Sequence, residues 1–136
     1  MPSEPLSPAL NNIVDKLSDL IKEGKVLKAV VDGGWRYYGE TFQKEIENLK
    51  NTIIDGGNKV VRCHATHFTR GAYIQNPTFR LILIQINGTS KLDPGGLLQP
   101  GSYQYLEDSR TLICEGEGGV DIGIVVLAEN TSFKKV

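Results

Sequence analysis

Apolar residues recur at helical spacing early in the chain and at strand spacing later, and that change of period predicts the architecture. Leu10, Ile13, Val14, Leu17, Leu20 and Ile21 repeat every three or four residues. They form one stripe of a helix whose other side carries Asn12, Asp15, Lys16, Asp19 and Lys22. Ser7 offers an N-cap hydroxyl, Pro8 suits the first helical position because its missing N–H needs no partner there, and Gly24 marks the stop. A second helix follows from Phe42, Ile46, Leu49 and Ile53, with Glu40 near its positive end and Gly56 beyond its last turn. Between the two, residues 26–31 read as a short β-branched strand closed by an Asp32-Gly33-Gly34 turn.

From residue 58 the period falls to two. Residues 59–69 alternate, with Val61, Cys63 and Ala65 opposite Arg62, His64 and Thr66. Residues 79–86 are almost continuously apolar, as in a strand covered on both faces. Asn87-Gly88 is a hairpin signal, but Pro94 and Pro100 in the segment after it predict a loop rather than a strand. Three further strands, 102–106, 111–115 and 120–129, read as a meander. In the last, Val120, Ile122, Ile124 and Val126 share one face while Asp121, Gly123, Val125 and Leu127 share the other. Helices before antiparallel strands indicate the α+β class. The expected architecture is two N-terminal amphipathic helices packed on a mainly antiparallel sheet of five or six strands, or on a small sandwich.

The length of 136 residues suits a single domain spanning 1–136, with residues 1–6 as a flexible arm and 130–136 as a C-terminal tail. Fifteen basic residues against 16 acidic ones leave a formal charge of −1, without a block of like charge. That balance argues against a module for double-stranded DNA, which needs a basic footprint. No basic segment followed by an apolar run opens the chain, and no apolar run could cross a bilayer. The expectation is therefore a protein that is neither secreted nor membrane-bound, located in the cytoplasm or in a virion. Two cysteines, Cys63 and Cys114, do not make a disulfide framework and read as reduced thiols.

The chemistry-bearing residues do not assemble into a diagnostic motif. Cys63, His64 and His67 are ligand types, yet strand alternation turns His64 away from the other two. Cys63 and His67 would stand about 13 Å apart along a strand rising roughly 3.3 Å per residue, too far for one metal ion or for a thiol and its base. Glu115, Glu117, Asp121 and Glu129 read as solvated carboxylates of the final hairpin, and the Gly116–Gly119 stretch as turn glycines. No cofactor, metal or catalytic residue is expected on these grounds.

The aromatic segment DGGWRYYGETF, residues 32–42, holds the sole tryptophan. Trp35, Arg36, Tyr37 and Tyr38 suit closure of the core, a subunit interface or a ligand contact, and the sequence leaves all three open. Tyr103 and Tyr105 share a strand face and form a second candidate contact surface. The leading expectation is a non-enzymatic structural or assembly subunit of a homo-oligomer or larger complex, of which a phage neck, tail or decoration component is one instance. The alternatives are a small ligand-binding domain or enzyme with a pocket between helix 2 and the sheet, lined by Trp35, Tyr37, Arg62 and His64, and a binder of single-stranded nucleic acid.

Overall fold

The computed structural model describes residues 3–136 of the chain. Two helices and eleven strands are present among them. In chain order they are β1 (Glu4–Pro5), α1 (Pro8–Lys22), β2 (Leu27–Val31), β3 (Gly34–Tyr38), α2 (Glu40–Asp55), β4 (Val60–Phe68), β5 (Gly71–Ile74), β6 (Leu81–Asn87), β7 (Thr89–Asp93), β8 (Gly96–Leu98), β9 (Ser102–Leu106), β10 (Arg110–Glu115) and β11 (Val120–Leu127). The class is α+β. The strands form a seven-stranded sheet ordered β1-β9-β6-β11-β4-β3-β2 and a four-stranded sheet ordered β5-β10-β7-β8, with every pairing antiparallel.

Both helices obey their local signals. The Ser7 hydroxyl accepts from the Leu10 N–H at 3.3 Å, Pro8 opens α1, and Gly24 takes a positive φ of 70° beyond its end. Leu10, Val14 and Leu17 of α1 meet Phe42, Ile46, Leu49 and Ile53 of α2 in one buried cluster, joined by Ala65, Ile82, Ile84, Val125 and Leu127 of the large sheet. The opposite face of that sheet presents Leu81, Leu83, Val120, Ile122 and Val126 to Leu92, Leu98 and Leu112, which covers it with the small sheet. The result is three layers: helices, large sheet, small sheet. A strand with apolar groups on both faces, as in residues 81–86, belongs in the middle layer.

The strand count exceeds the five or six expected, and the helices are not consecutive. The strand expected at 26–31 is present as β2, and the Trp35 segment adds β3 as its partner, so a β2–β3 hairpin separates the helices. The expected meander of 102–106, 111–115 and 120–129 is also corrected. β9 lies between β1 and β6, β10 between β5 and β7, and β11 between β4 and β6. Residues consecutive in sequence thus enter different sheets, because each strand pairs where its apolar face finds cover. The segment after Asn87-Gly88 forms β7 and β8 despite Pro94, which falls in the turn between them where no ladder hydrogen bond is needed.

The first described residues and the C-terminal tail lie together. Of the arm expected at 1–6, residues 1 and 2 fall outside the described residues, and Glu4–Pro5 pairs with β9. In the tail, Lys134 N–H donates to Asn58 Oδ1 at 2.9 Å, Val136 O accepts from the Ser7 N–H at 2.8 Å, and Lys135 Nζ meets Glu4 Oε1 at 2.9 Å. Residues 4–7 and 133–136 therefore pack on their own chain.

Candidate functional site

Strand alternation splits the aromatic segment between two sides of the sheet. Trp35 and Tyr37 face the helices, while Arg36 faces a groove on the opposite side and Tyr38 is exposed. Trp35 is half-buried and stacks flat on His67, with ring centres 4.1 Å apart and planes 7° from parallel. The Lys28 ammonium stands 4.6 Å above the Trp35 ring, and Tyr37 meets that ring edge-on. His67 reaches Trp35 because the two residues are directly opposite in the β3–β4 ladder.

Behind this stack lies a buried polar network centred on Asp121. Its Oδ1 accepts from the Tyr37 hydroxyl at 2.6 Å and lies 2.8 Å from His67 Nδ1, and its Oδ2 accepts from Asn87 Nδ2 at 3.0 Å. Asn87 Oδ1 in turn accepts from the Ser18 hydroxyl at 2.6 Å. The carboxylate offers only lone pairs, so His67 carries its hydrogen on Nδ1 and donates it to Asp121. One carboxylate thus ties together the neighbouring strands β6, β11, β4 and β3, and Asn87 extends the tie to α1. Burial, followed by the hydrogen bond to Asp121, pushes the Tyr37 hydroxyl well above the ordinary phenol range.

Asp121 is 6 % exposed, which corrects its reading as a solvated turn carboxylate, while Glu115, Glu117 and Glu129 are exposed. The signal was in the alternation of the last strand. Asp121 shares a face with Val125 and Leu127, and a charged residue at a core register needs partners. His67, on the same face of β4 as Cys63, is the partner that sequence spacing could nominate but not place. Cys63 lies against the helix cluster, and burial pushes its thiol up to about 12.

Tyr103 and Tyr105 face the helix side together, and the chain's own tail covers them. Phe133 stacks on Tyr105 with ring centres 4.2 Å apart and leans on Tyr103 at 6.2 Å. The Tyr103 hydroxyl donates to Glu4 Oε2 at 3.0 Å and accepts from the Val136 N–H at 3.4 Å.

A groove of about 440 Å³ opens on the other side of the large sheet, where the small sheet stops short of β3. Its polar wall is Arg36, Arg62 and His64, with Asp32 at the β2–β3 turn, and its apolar surface includes Phe68, Ile74, Leu81, Ile124 and Val126. The pocket expected between helix 2 and the sheet is therefore divided. Trp35 and Tyr37 pack under the helices, and Arg62 and His64 line the groove on the far side.

Burial, reinforced by the positive charges of Arg36 and Arg62, pushes the His64 imidazole down from 6.5 to about 4. An unfolded chain takes up this proton near pH 6.5 and the folded chain only near 4, so stability falls as acid is added across that window. Thermal melts from pH 7 to pH 4 are expected to show that loss, and His64→Gln to flatten it. An unchanged slope in the variant would assign the acid sensitivity to other groups.

No set of three histidine, cysteine, aspartate or glutamate side chains among the described residues is placed to hold a metal ion. No helix among the described residues is long and apolar enough to cross a membrane. Compared with protein-family models, curated proteins and solved structures, the chain matches none.

Proposed function

We propose that the chain is a non-enzymatic assembly subunit that self-associates by pairing the β2 edge of one copy with the β2 edge of another. The observation that supports this reading is the state of β2. It is the last strand of the seven-stranded sheet, and all five of its residues are exposed, with Val30 at 90 % and Leu27 at 55 %. An edge strand presents a row of N–H and C=O groups without partners, and proteins ordinarily blunt such edges with proline, bulges or outward charge. In β2 the one charge is Lys28, whose ammonium is drawn over Trp35.

A two-fold antiparallel pairing centred on Ala29 sets Leu27 of one copy against Val31 of the other, and Lys28 against Val30. Tyr38, opposite Leu27 in the β2–β3 ladder and 44 % exposed, extends the apolar contact on the same face. A repeated subunit of a particle, such as a virion neck, tail or decoration component, would use an edge of this kind.

Native mass spectrometry and light scattering of the full chain over a range of concentrations test the reading. A dimer or larger symmetric assembly is expected. Val30→Lys, at a position too exposed to disturb the fold, is expected to weaken association by about tenfold or more, as for loss of a contact worth about 1.4 kcal/mol. A chain that stays monomeric at the highest concentrations, or a variant that assembles as well as the parent, overturns it.

A further inference from the structure

We propose that the groove between the two sheets binds a monocarboxylate carrying an apolar body, with Arg36 and Arg62 holding the carboxylate. This site is independent of the β2 edge and adds a small-molecule ligand to the assembly reading.

The argument begins with unpaired groups. Neither guanidinium takes part in an ion pair among the described residues, although each lines the groove. His64 Nδ1 is buried there without a hydrogen-bond partner. On the far side of the same sheet Tyr37, His67 and Asn87 each find the Asp121 carboxylate, whereas Arg36 and Arg62 line the groove with no carboxylate among the described residues paired to either. Solvated arginines need no partner. These two, however, bracket one half-buried imidazole in a partly apolar cleft. Arg62 lies two residues before His64 on β4, and Arg36 is opposite Thr66, two residues after it.

Charge then selects the head group. Two guanidiniums against the Asp32 carboxylate leave one net positive charge in the lining, and His64 stays neutral at pH 7, so a single negative charge completes the site. A planar guanidinium fork matches a carboxylate in a bidentate pair. The apolar part follows from the remaining wall. Half-buried Ile124 and Ala72, together with the exposed Tyr73 ring, offer apolar surface that a bare anion would leave unused. A volume of about 440 Å³ lies within the range of pockets that enclose small organic ligands.

Calorimetric titration of the full chain with decanoate, decanol, decyl phosphate and inorganic phosphate tests the site. Decanoate is expected to bind once per chain, and Arg36→Gln and Arg62→Gln each to weaken it by about tenfold, as for loss of one charge-assisted pair. Decanol is expected to bind at least about tenfold more weakly than decanoate for the same reason, and inorganic phosphate not measurably. Both arginines are exposed, so the variants should melt like the parent, and Lys44→Gln, exposed on α2 in the helical layer on the other side of the large sheet, should bind decanoate normally. Equal affinity for decanol, insensitivity to both substitutions, or no decanoate binding at millimolar concentration overturns the proposal. Tighter binding of decyl phosphate overturns the single-charge argument. Repeating the titration on Val30→Lys separates the ligand site from assembly, since that variant should bind decanoate as the parent does.

Discussion

Asp121→Ala is expected to lower stability by about 3–5 kcal/mol, the range for breaking a buried, charge-assisted network from one side. The substitution removes the acceptor of Tyr37 and Asn87 and the partner of His67, leaving those groups in a setting where water does not replace the carboxylate. For a chain of this length the melting midpoint should drop by roughly 10–20 °C. Tyr37→Phe, which removes one donor and leaves the carboxylate two partners, should cost less, about 1.5–3 kcal/mol. Urea unfolding followed by circular dichroism measures both, and Trp35 emission reports on the stack over His67. A loss below about 1 kcal/mol for Asp121→Ala, no more than an ordinary neutral hydrogen bond, would mean that the network does not hold the four strands together.

Gly34→Ala should be as damaging for a steric reason. A Cβ at Gly34 would fall on the carbonyl oxygen of His67, a backbone atom held in the ladder by the pairing of Gly34 with Phe68 and Trp35 with His67. Neither strand can give way without opening the β3–β4 ladder, which positions both the Trp35 stack and Arg36. We expect a loss above about 3 kcal/mol, comparable with severe overpacking, or failure to accumulate as a folded chain. Gly24→Ala is the control. Gly24 has a φ of 70° but open space around its Cβ position, so the backbone penalty of about 1–2 kcal/mol is the expected cost. Denaturant midpoints of the two variants rank the effects. Similar values would show that the β3–β4 contact relaxes around an added methyl group.

Much of the helical layer was legible because helix signals are local. Ser7, Pro8 and Gly24 act within a turn of their own positions, and the stripes ending at Ile21 and Ile53 need only the helical period. The faces of β11 were equally legible, since alternation alone separates Ile122 from Val125. The strand at 34–38 was not. Gly33 before it and Gly34 as its first residue read as a turn, and only pairing with β4 on one side and β2 on the other makes that segment extended. β5, β7 and β8 are short, and each exists because a distant strand lies beside it.

The candidate residues divide along the same line. Composition nominated Trp35, Arg36, Tyr37 and Tyr38 together, and one strand's alternation puts Tyr37 in the core network and Arg36 in the groove. Tyr103 and Tyr105 looked like free contact surface because nothing local marks Phe133 as their cover. Asp121 was visible as a carboxylate among turn residues, but its importance depends on His67, Tyr37 and Asn87, which lie 34 to 84 positions away in the chain.

By itself the sequence determined the α+β class, the two amphipathic helices with their caps, and which side chains of β4 and β11 share a face. These depend on period and on interactions within a few residues. The tertiary structure alone decided the partition of strands into two sheets, the exposed β2 edge, the network around Asp121 and the groove holding Arg36, Arg62 and His64. Each of these depends on which strands lie side by side, a choice made by burying apolar faces across the whole chain rather than by any local preference.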